Sequence, residues 1–174
     1  MADKYIADPL SKRDIFKLTS EIRERLNLNK SLFFPIVEVI ELFITQFDDN
    51  FNYEIIDEDR MPYGTYAYYD AKCNCMKIRN DVYCNATNNI GRDRFTLAHE
   101  LGHYFLHQTG VGLCRASEPI KSYQNPEWQA NTFASFLLMP PNLIVNMPPE
   151  TISLKCGTSM EASVIAHKKS RELS

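Results

Sequence analysis

The stretch that most constrains this chain is Phe95-Thr96-Leu97-Ala98-His99-Glu100-Leu101-Gly102-His103-Tyr104-Phe105-Leu106. Phe95, Ala98, Leu101, Phe105 and Leu106 recur at the three- and four-residue spacing of an amphipathic helix that buries one face. Within it stands His-Glu-x-x-His. His99 and His103 are four residues apart, so a helix carries both imidazoles on one face, one turn apart. Two such rings can grip one zinc ion, and Glu100 starts one residue further round, able to reach a water on that ion. A chance match on a polar helix, or a pair of satisfied core histidines, are the bland alternatives. The half-apolar helical context is what the motif requires, and it favours zinc.

An open zinc site takes three protein ligands and leaves one position for water. Downstream, His107, Glu118, Glu127, Glu150, Glu161 and His167 are candidates for the third. Glu127 is the choice. Asn125 can cap a helix, Pro126 suits its first position, and Pro140-Pro141 stops it. On that helix Glu127 shares a face with Ala130, Asn131, Ala134 and Leu138. The two alanines permit close approach to the histidine helix, and Gly102 permits it from the other side. Asn131, one turn beyond Glu127, is placed to hydrogen-bond a ligand. An acid in a first turn also serves the helix dipole, which is the competing reading of Glu127. His107 is the main rival ligand. Steps of four residues drift by about 40° and climb about 6 Å, so three consecutive histidines diverge from a single ion. A supporting position at the rim of the site, or plain solvent exposure, suits His107 better.

The remaining chain reads as mixed α and β. Ser11 caps a helix through Leu26, with Asp14 in its first turn. A second helix starts at Pro35, with Ile36, Val39, Ile40, Phe43, Ile44 and Phe47 as a broad core face. Residues 51–56 read as a strand, Met61 to Gly64 as a turn, and residues 65–69 and 75–78 as a hairpin. The tyrosines of that hairpin suit half-buried strand surface. Cys84 to Gly91 is polar and reads as a loop. The histidine helix should end soon after His107, and residues 110–124 as an irregular segment near the site. The tail suggests two short helices, 150–156 and 158–168, parted by Gly157, with a capping box from Thr158 to Glu161.

With 174 residues the chain divides most simply into a main domain at 1–147 and a short helical tail at 148–174. A net charge of −3 argues against a large nucleic-acid footprint. No apolar run is long enough to cross a bilayer and no signal core leads the chain, so the cytoplasm is the expected compartment. Five cysteines cannot all pair, which fits free thiols there. Cys73-x-Cys75 with Cys84 is an alternative thiolate site, but its spacing matches no common zinc pattern.

The blocks Arg94–His103 and Glu127–Pro140 together resemble the ImmA/IrrE family of zinc metallopeptidases. The second block is similar to that family's Glu-x-x-Ala-Asn-x-Phe-Ala-x-x-Leu-Leu-Met-Pro. The resemblance implies an α+β, mainly helical zincin-like core with a small antiparallel sheet or hairpin beside the histidine helix. It implies a gluzincin-like site holding one zinc ion, with His99, His103 and Glu127 as ligands and Glu100 as catalytic glutamate. It also implies a protein substrate, a helix-turn-helix repressor that the peptidase cleaves or inactivates, and a tail that is a helix-turn-helix remnant. The tail's basic cluster is small, which argues against direct nucleic-acid binding.

The expected chemistry is endopeptidase cleavage with Glu100 as the base. Tyr104, His107 or a hairpin tyrosine could steady the oxyanion, and the hairpin could take substrate as an added strand. The competing reading is a regulator, such as a toxin-antitoxin component, that binds a partner through the same fold without cutting it. A purely structural zinc would demand a fourth protein ligand in place of water.

Overall fold

In the computed structural model the backbone is described over residues 4–108, 112–114 and 120–172. The first strand, β1 (Lys4–Ile6), lies antiparallel to a later short strand, with Lys4 opposite Cys114 and Ile6 opposite Gly112. Helix α1 (Lys12–Arg25) starts at a reciprocal cap: the Ser11 hydroxyl accepts the Asp14 N–H, and the Asp14 carboxylate accepts the Ser11 N–H. Its buried residues Ile15, Thr19 and Arg23 fall four apart and face the core.

The second helical segment, α2, spans 36–47 but is not one α-helix. Ile36–Glu38 and Thr45–Phe47 are α-helical, while Val39–Ile44 between them forms a π-helix. A π-helix bonds five residues back and takes more residues per turn. The apolar stripe therefore slips out of phase. Ile36, Val39, Ile40 and Ile44 are buried as the pattern requires, whereas Phe43 and Phe47 turn outward. For those two phenylalanines the expected core face is corrected.

Strands β2 (Asn52–Ile56), β3 (Ala67–Asp70) and β4 (Cys75–Arg79) form one sheet in the order β2-β4-β3. The hairpin β3–β4 is antiparallel, with Tyr68 opposite Lys77. Strand β2 joins the far side of β4 in parallel, so the sheet is mixed and β2 and β3 are its two edges. Helix α3 (Asn80–Thr87) takes the first half, Cys84 to Thr87, of the stretch that the sequence presents as a loop. Val82 and Ala86, four apart, are each about 1 % exposed, and this one apolar pair seats a helix in an otherwise polar run. Asn89, at φ 62°, ends the connection in the left-handed region.

Helix α4 (Gly91–Leu106) carries the His-Glu-x-x-His stretch and buries Leu97, Ala98, Leu101 and Gly102. Strand β5 (Gly112–Cys114) is the partner of β1 and replaces part of the expected irregular segment. Helix α5 (Pro126–Leu138) is capped by the Asn125 side chain, which accepts the N–H groups of Glu127 and Trp128. Helices α4 and α5 meet at Gly102. A Cβ there would stand 3.1 Å from the Ala130 Cα and 3.2 Å from its carbonyl oxygen, so only glycine admits this approach without displacement.

A short helix α6 (Pro141–Ile144) follows, then α7 (Pro149–Cys156) and α8 (Met160–Ser170). The α8 cap is Ser159, which accepts the Ala162 N–H, while the Thr158 hydroxyl pairs with Ser163; the expected Thr158–Glu161 capping box is corrected to a simple serine cap, because Ala162 at the third helical position has no polar side chain to bond back. The buried Arg94 guanidinium ties this tail to the core by donating to the carbonyls of Phe34 (2.7 Å), Gly157 (2.9 Å) and Cys156 (3.4 Å). Gly91 packs directly on the main chain of Thr158. No helix of the described residues is long and apolar enough to cross a membrane.

Candidate metal site

Helix α4 presents His99 and His103, and the first turn of α5 presents Glu127. The Gly102–Ala130 contact sets how near these two helices lie, and it brings the three side chains to one point. His99 Nε2 and His103 Nε2 are 3.0 Å apart. Glu127 Oε2 lies 3.2 Å from His99 Nε2, and Oε1 lies 3.4 Å from His103 Nε2. Ligands on zinc at about 2.0–2.1 Å, set at tetrahedral angles, stand about 3.3 Å from one another, so the observed spacings fit such an ion. Among the described residues this is the one His/Cys/Asp/Glu group able to hold a metal. Cys73, Cys75 and Cys84 join no such group, and neither do Glu150, Glu161 or His167. Glu118 lies outside the described residues.

The donor chemistry points the same way. His99 Nδ1 is 3.1 Å from Asn131 Oδ1, an acceptor, so Nδ1 carries the ring proton and Nε2 is left with its lone pair. Two imidazole nitrogens and two carboxylate oxygens meet here, with facing atoms 3.0, 3.2 and 3.4 Å apart, and with both rings bare at Nε2 such a set binds a cation. A ring protonated at Nε2 would instead donate to Glu127, and the ionisation shifts follow from that pairing. Hydrogen bonding to His103 and His99 drives the Glu127 carboxyl far below its ordinary range. Burial pulls the His99 imidazole down, but Glu127, Glu100 and Asn131 outweigh it and raise the ring above its usual value.

Glu100 points elsewhere. The residue is 8 % exposed, and its Oε2 accepts the main-chain N–H of Tyr69 at 2.9 Å. It is held against the β3 edge of the sheet, beside the metal group and not in it. Burial raises its carboxyl above the ordinary value, opposed by His99 and His103.

The other candidate positions separate clearly. Asn131 meets His99, as its place on α5 suggested. His107 caps the end of α4 and is buried on the opposite side of the His103 ring, with its Nδ1 2.9 Å from His103 Nδ1. It is neither exposed nor one of the converging donors. Tyr104 is corrected as an oxyanion donor, because its hydroxyl donates to Asp48 Oδ2 at 2.9 Å. One residue past His103, it is turned about 100° round the helix, away from the ion. Two residues escaped the sequence reading. Tyr69 acts through a main-chain atom, which no side-chain pattern reveals. Gln129 is fully buried behind His107, 2.9 Å from its Nε2, and its position two residues after Glu127 gives no sign of that partner.

An α+β core that converges two histidines and a glutamate beside an edge strand defines a metallopeptidase type of protein. Residues 50–153 match the model of the peptidase family described as the IrrE N-terminal-like domain, which is more than half of the chain, and the chain belongs to that family. No curated protein matches it.

Proposed function

We propose that this chain is a zinc-dependent endopeptidase in which His99, His103 and Glu127 hold the ion and Glu100 is the base. The observation that carries this reading is the convergence of those three donors, all within 4.8 Å of one another, with a buried carboxylate fixed alongside. When bound, zinc supplies a Lewis acid that lowers the pKa of its water towards about 7 and polarises the carbonyl to be cut. Glu100 takes the proton at Oε1, because Oε2 is engaged by Tyr69. Burial raises its basicity above that of an ordinary carboxylate, which suits a proton carrier, and the same oxygen returns the proton to the departing amine. The substrate lies along β3. In an antiparallel pair the N–H and C=O of one residue point to the same side. The Tyr69 N–H points away from β4 to Glu100, so the Tyr69 carbonyl faces outward too and can accept an N–H from an added strand.

The natural substrate we assign is a helix-turn-helix repressor, on the strength of the family resemblance. Glu100→Gln tests the reading. The variant should bind zinc with the wild-type stoichiometry and lose roughly 10²–10⁴-fold in cleavage of a peptide or repressor substrate. A variant that cuts at the wild-type rate removes Glu100 from the mechanism. A wild-type protein that binds the repressor and leaves it intact replaces the peptidase with a binding regulator.

A further inference from the structure

Behind His103 runs a line of buried polar groups that the chemistry above does not use. His107 is 5 % exposed and Gln129 is fully buried. His107 Nδ1 meets His103 Nδ1, and His107 Nε2 meets Gln129 Oε1, each at 2.9 Å. The Gln129 amide nitrogen donates twice, to the Asp8 carbonyl at 2.7 Å and to the Tyr123 carbonyl at 2.8 Å.

Those two carbonyls fix every hydrogen in the line. Both accept only, so the Gln129 nitrogen must face them and its oxygen must face His107. That oxygen accepts only, so His107 Nε2 carries the proton and His107 Nδ1 offers a lone pair. A neutral His107 ring has that one proton only, so its Nδ1 accepts across to His103. The His103 ring therefore donates from Nδ1 and keeps its lone pair on Nε2, the atom that faces His99 and Glu127.

We propose that Gln129 and His107 are positioning residues that fix the tautomer and the ring plane of His103, and that the main chain of Asp8 is the far anchor of this line. The inference rests on the metal-site reading above, and it adds a coupling that the site alone does not contain. His99 obtains its tautomer from Asn131 in one step. His103 obtains its own from a segment more than ninety residues earlier. That segment is held on residues 123–124 by the Ala7 N–H to the Gln124 carbonyl and the Leu10 N–H to the Tyr123 carbonyl, both 2.9 Å. Seating of the N-terminal segment and grip on the ion are one linked equilibrium.

The test uses the full chain and zinc alone, with affinity read by competition against a chromophoric chelator. Partners behind metal-ligating histidines typically matter 10–100-fold for affinity. Gln129→Leu and His107→Phe should weaken zinc binding by about that factor, while His107→Gln, which can still accept a hydrogen bond, should recover most of it. His107→Phe binding zinc within about threefold of wild type overturns the proposal and leaves the peptidase reading standing. Wild-type protein that takes up no zinc overturns both. Nitrogen-15 NMR of the wild-type histidines needs no variant to fold: it should show His107 protonated at Nε2 and bare at Nδ1. The opposite tautomer refutes the line of bonds outright.

Discussion

Glu100 on helix α4 and Tyr69 on the sheet edge are joined by a 2.9 Å hydrogen bond from the Tyr69 main-chain N–H to the Glu100 carboxylate. The proposed base and the strand proposed to carry substrate are thereby tied directly to each other. Glu100→Asp shortens the side chain by one methylene and cannot both reach the site and keep that bond. Misplacement of about 1 Å costs on the order of 10²-fold in rate, so kcat should fall by about that much with zinc content unchanged. Equal kcat for wild type and Glu100→Asp would show that the Tyr69 contact does not position the base.

Zinc should stabilise the folded chain. A ligand that binds only the native state at a hundred times its Kd contributes about 2.7 kcal/mol. For a chain of this size about 1 kcal/mol moves Tm by roughly 2–4 °C, so zinc should raise Tm by about 5–10 °C and a strong chelator should reverse it. His99→Ala and Glu127→Ala should each abolish most of that shift. Thermal melts with and without zinc decide it.

Gly102→Val should harm fold and site together. A Cβ at Gly102 would already press on Ala130 at 3.1 Å and on the Phe133 ring at 3.2 Å, and two γ-methyls require more room still. Overpacking of this kind costs about 1–3 kcal/mol. Because the same contact sets the distance from Glu127 to the two imidazoles, zinc affinity should fall as well. Urea unfolding paired with chelator competition separates the two losses.

Asp48 should give the fold an acid-sensitive component. The Asn74 amide, joined by the Tyr104 hydroxyl, holds its carboxyl below the ordinary value of 3.8. A depressed native value means that the contribution is complete above about pH 4 and drains away as pH falls through the lower, folded value. Asp48→Asn should be somewhat less stable than wild type at pH 7, and the gap should close below about pH 4. Urea midpoints at pH 7, 4 and 3 test the sign.

Arg94→Met should be severe without touching the metal. It strips the donor from the carbonyls of Cys156 and Gly157 and removes one of two donors from Phe34, which keeps the Ile36 N–H. Each unsatisfied group costs about 1–3 kcal/mol, so the loss of these two should total about 2 kcal/mol or more. Chemical unfolding measures it, and the folded fraction should bind zinc as wild type does.

What was legible in the sequence follows the range of the interactions. The α4 helix, the Asn125–Pro126 start of α5 and the Ser11 cap are each decided within a few residues, and each stands where the pattern places it. The Gly102 approach to Ala130 was legible because small residues on both helices announce it. Helix α3 was hidden, since a single buried pair, Val82 and Ala86, outweighs a polar run. The π stretch in α2 was hidden because hydrophobic spacing presumes 3.6 residues per turn. The pairing of β1 with β5, the Tyr69 bond to Glu100 and the Gln129 bond to Asp8 join residues far apart in the chain through main-chain atoms. Such atoms are alike at nearly every position, and nothing in side-chain identity distinguishes them.

The seating of Arg94 beneath the tail has a practical consequence for cutting the molecule down. The family match stops at residue 153, inside α7 and short of the Cys156 and Gly157 carbonyls that the guanidinium holds. A fragment trimmed to that boundary would strand a cation in an apolar interior and uncover the surface of Gly91 that Thr158 occupies. A well-behaved fragment of this family member therefore extends at least past Thr158, and its folding unit is longer than the homology that reveals it.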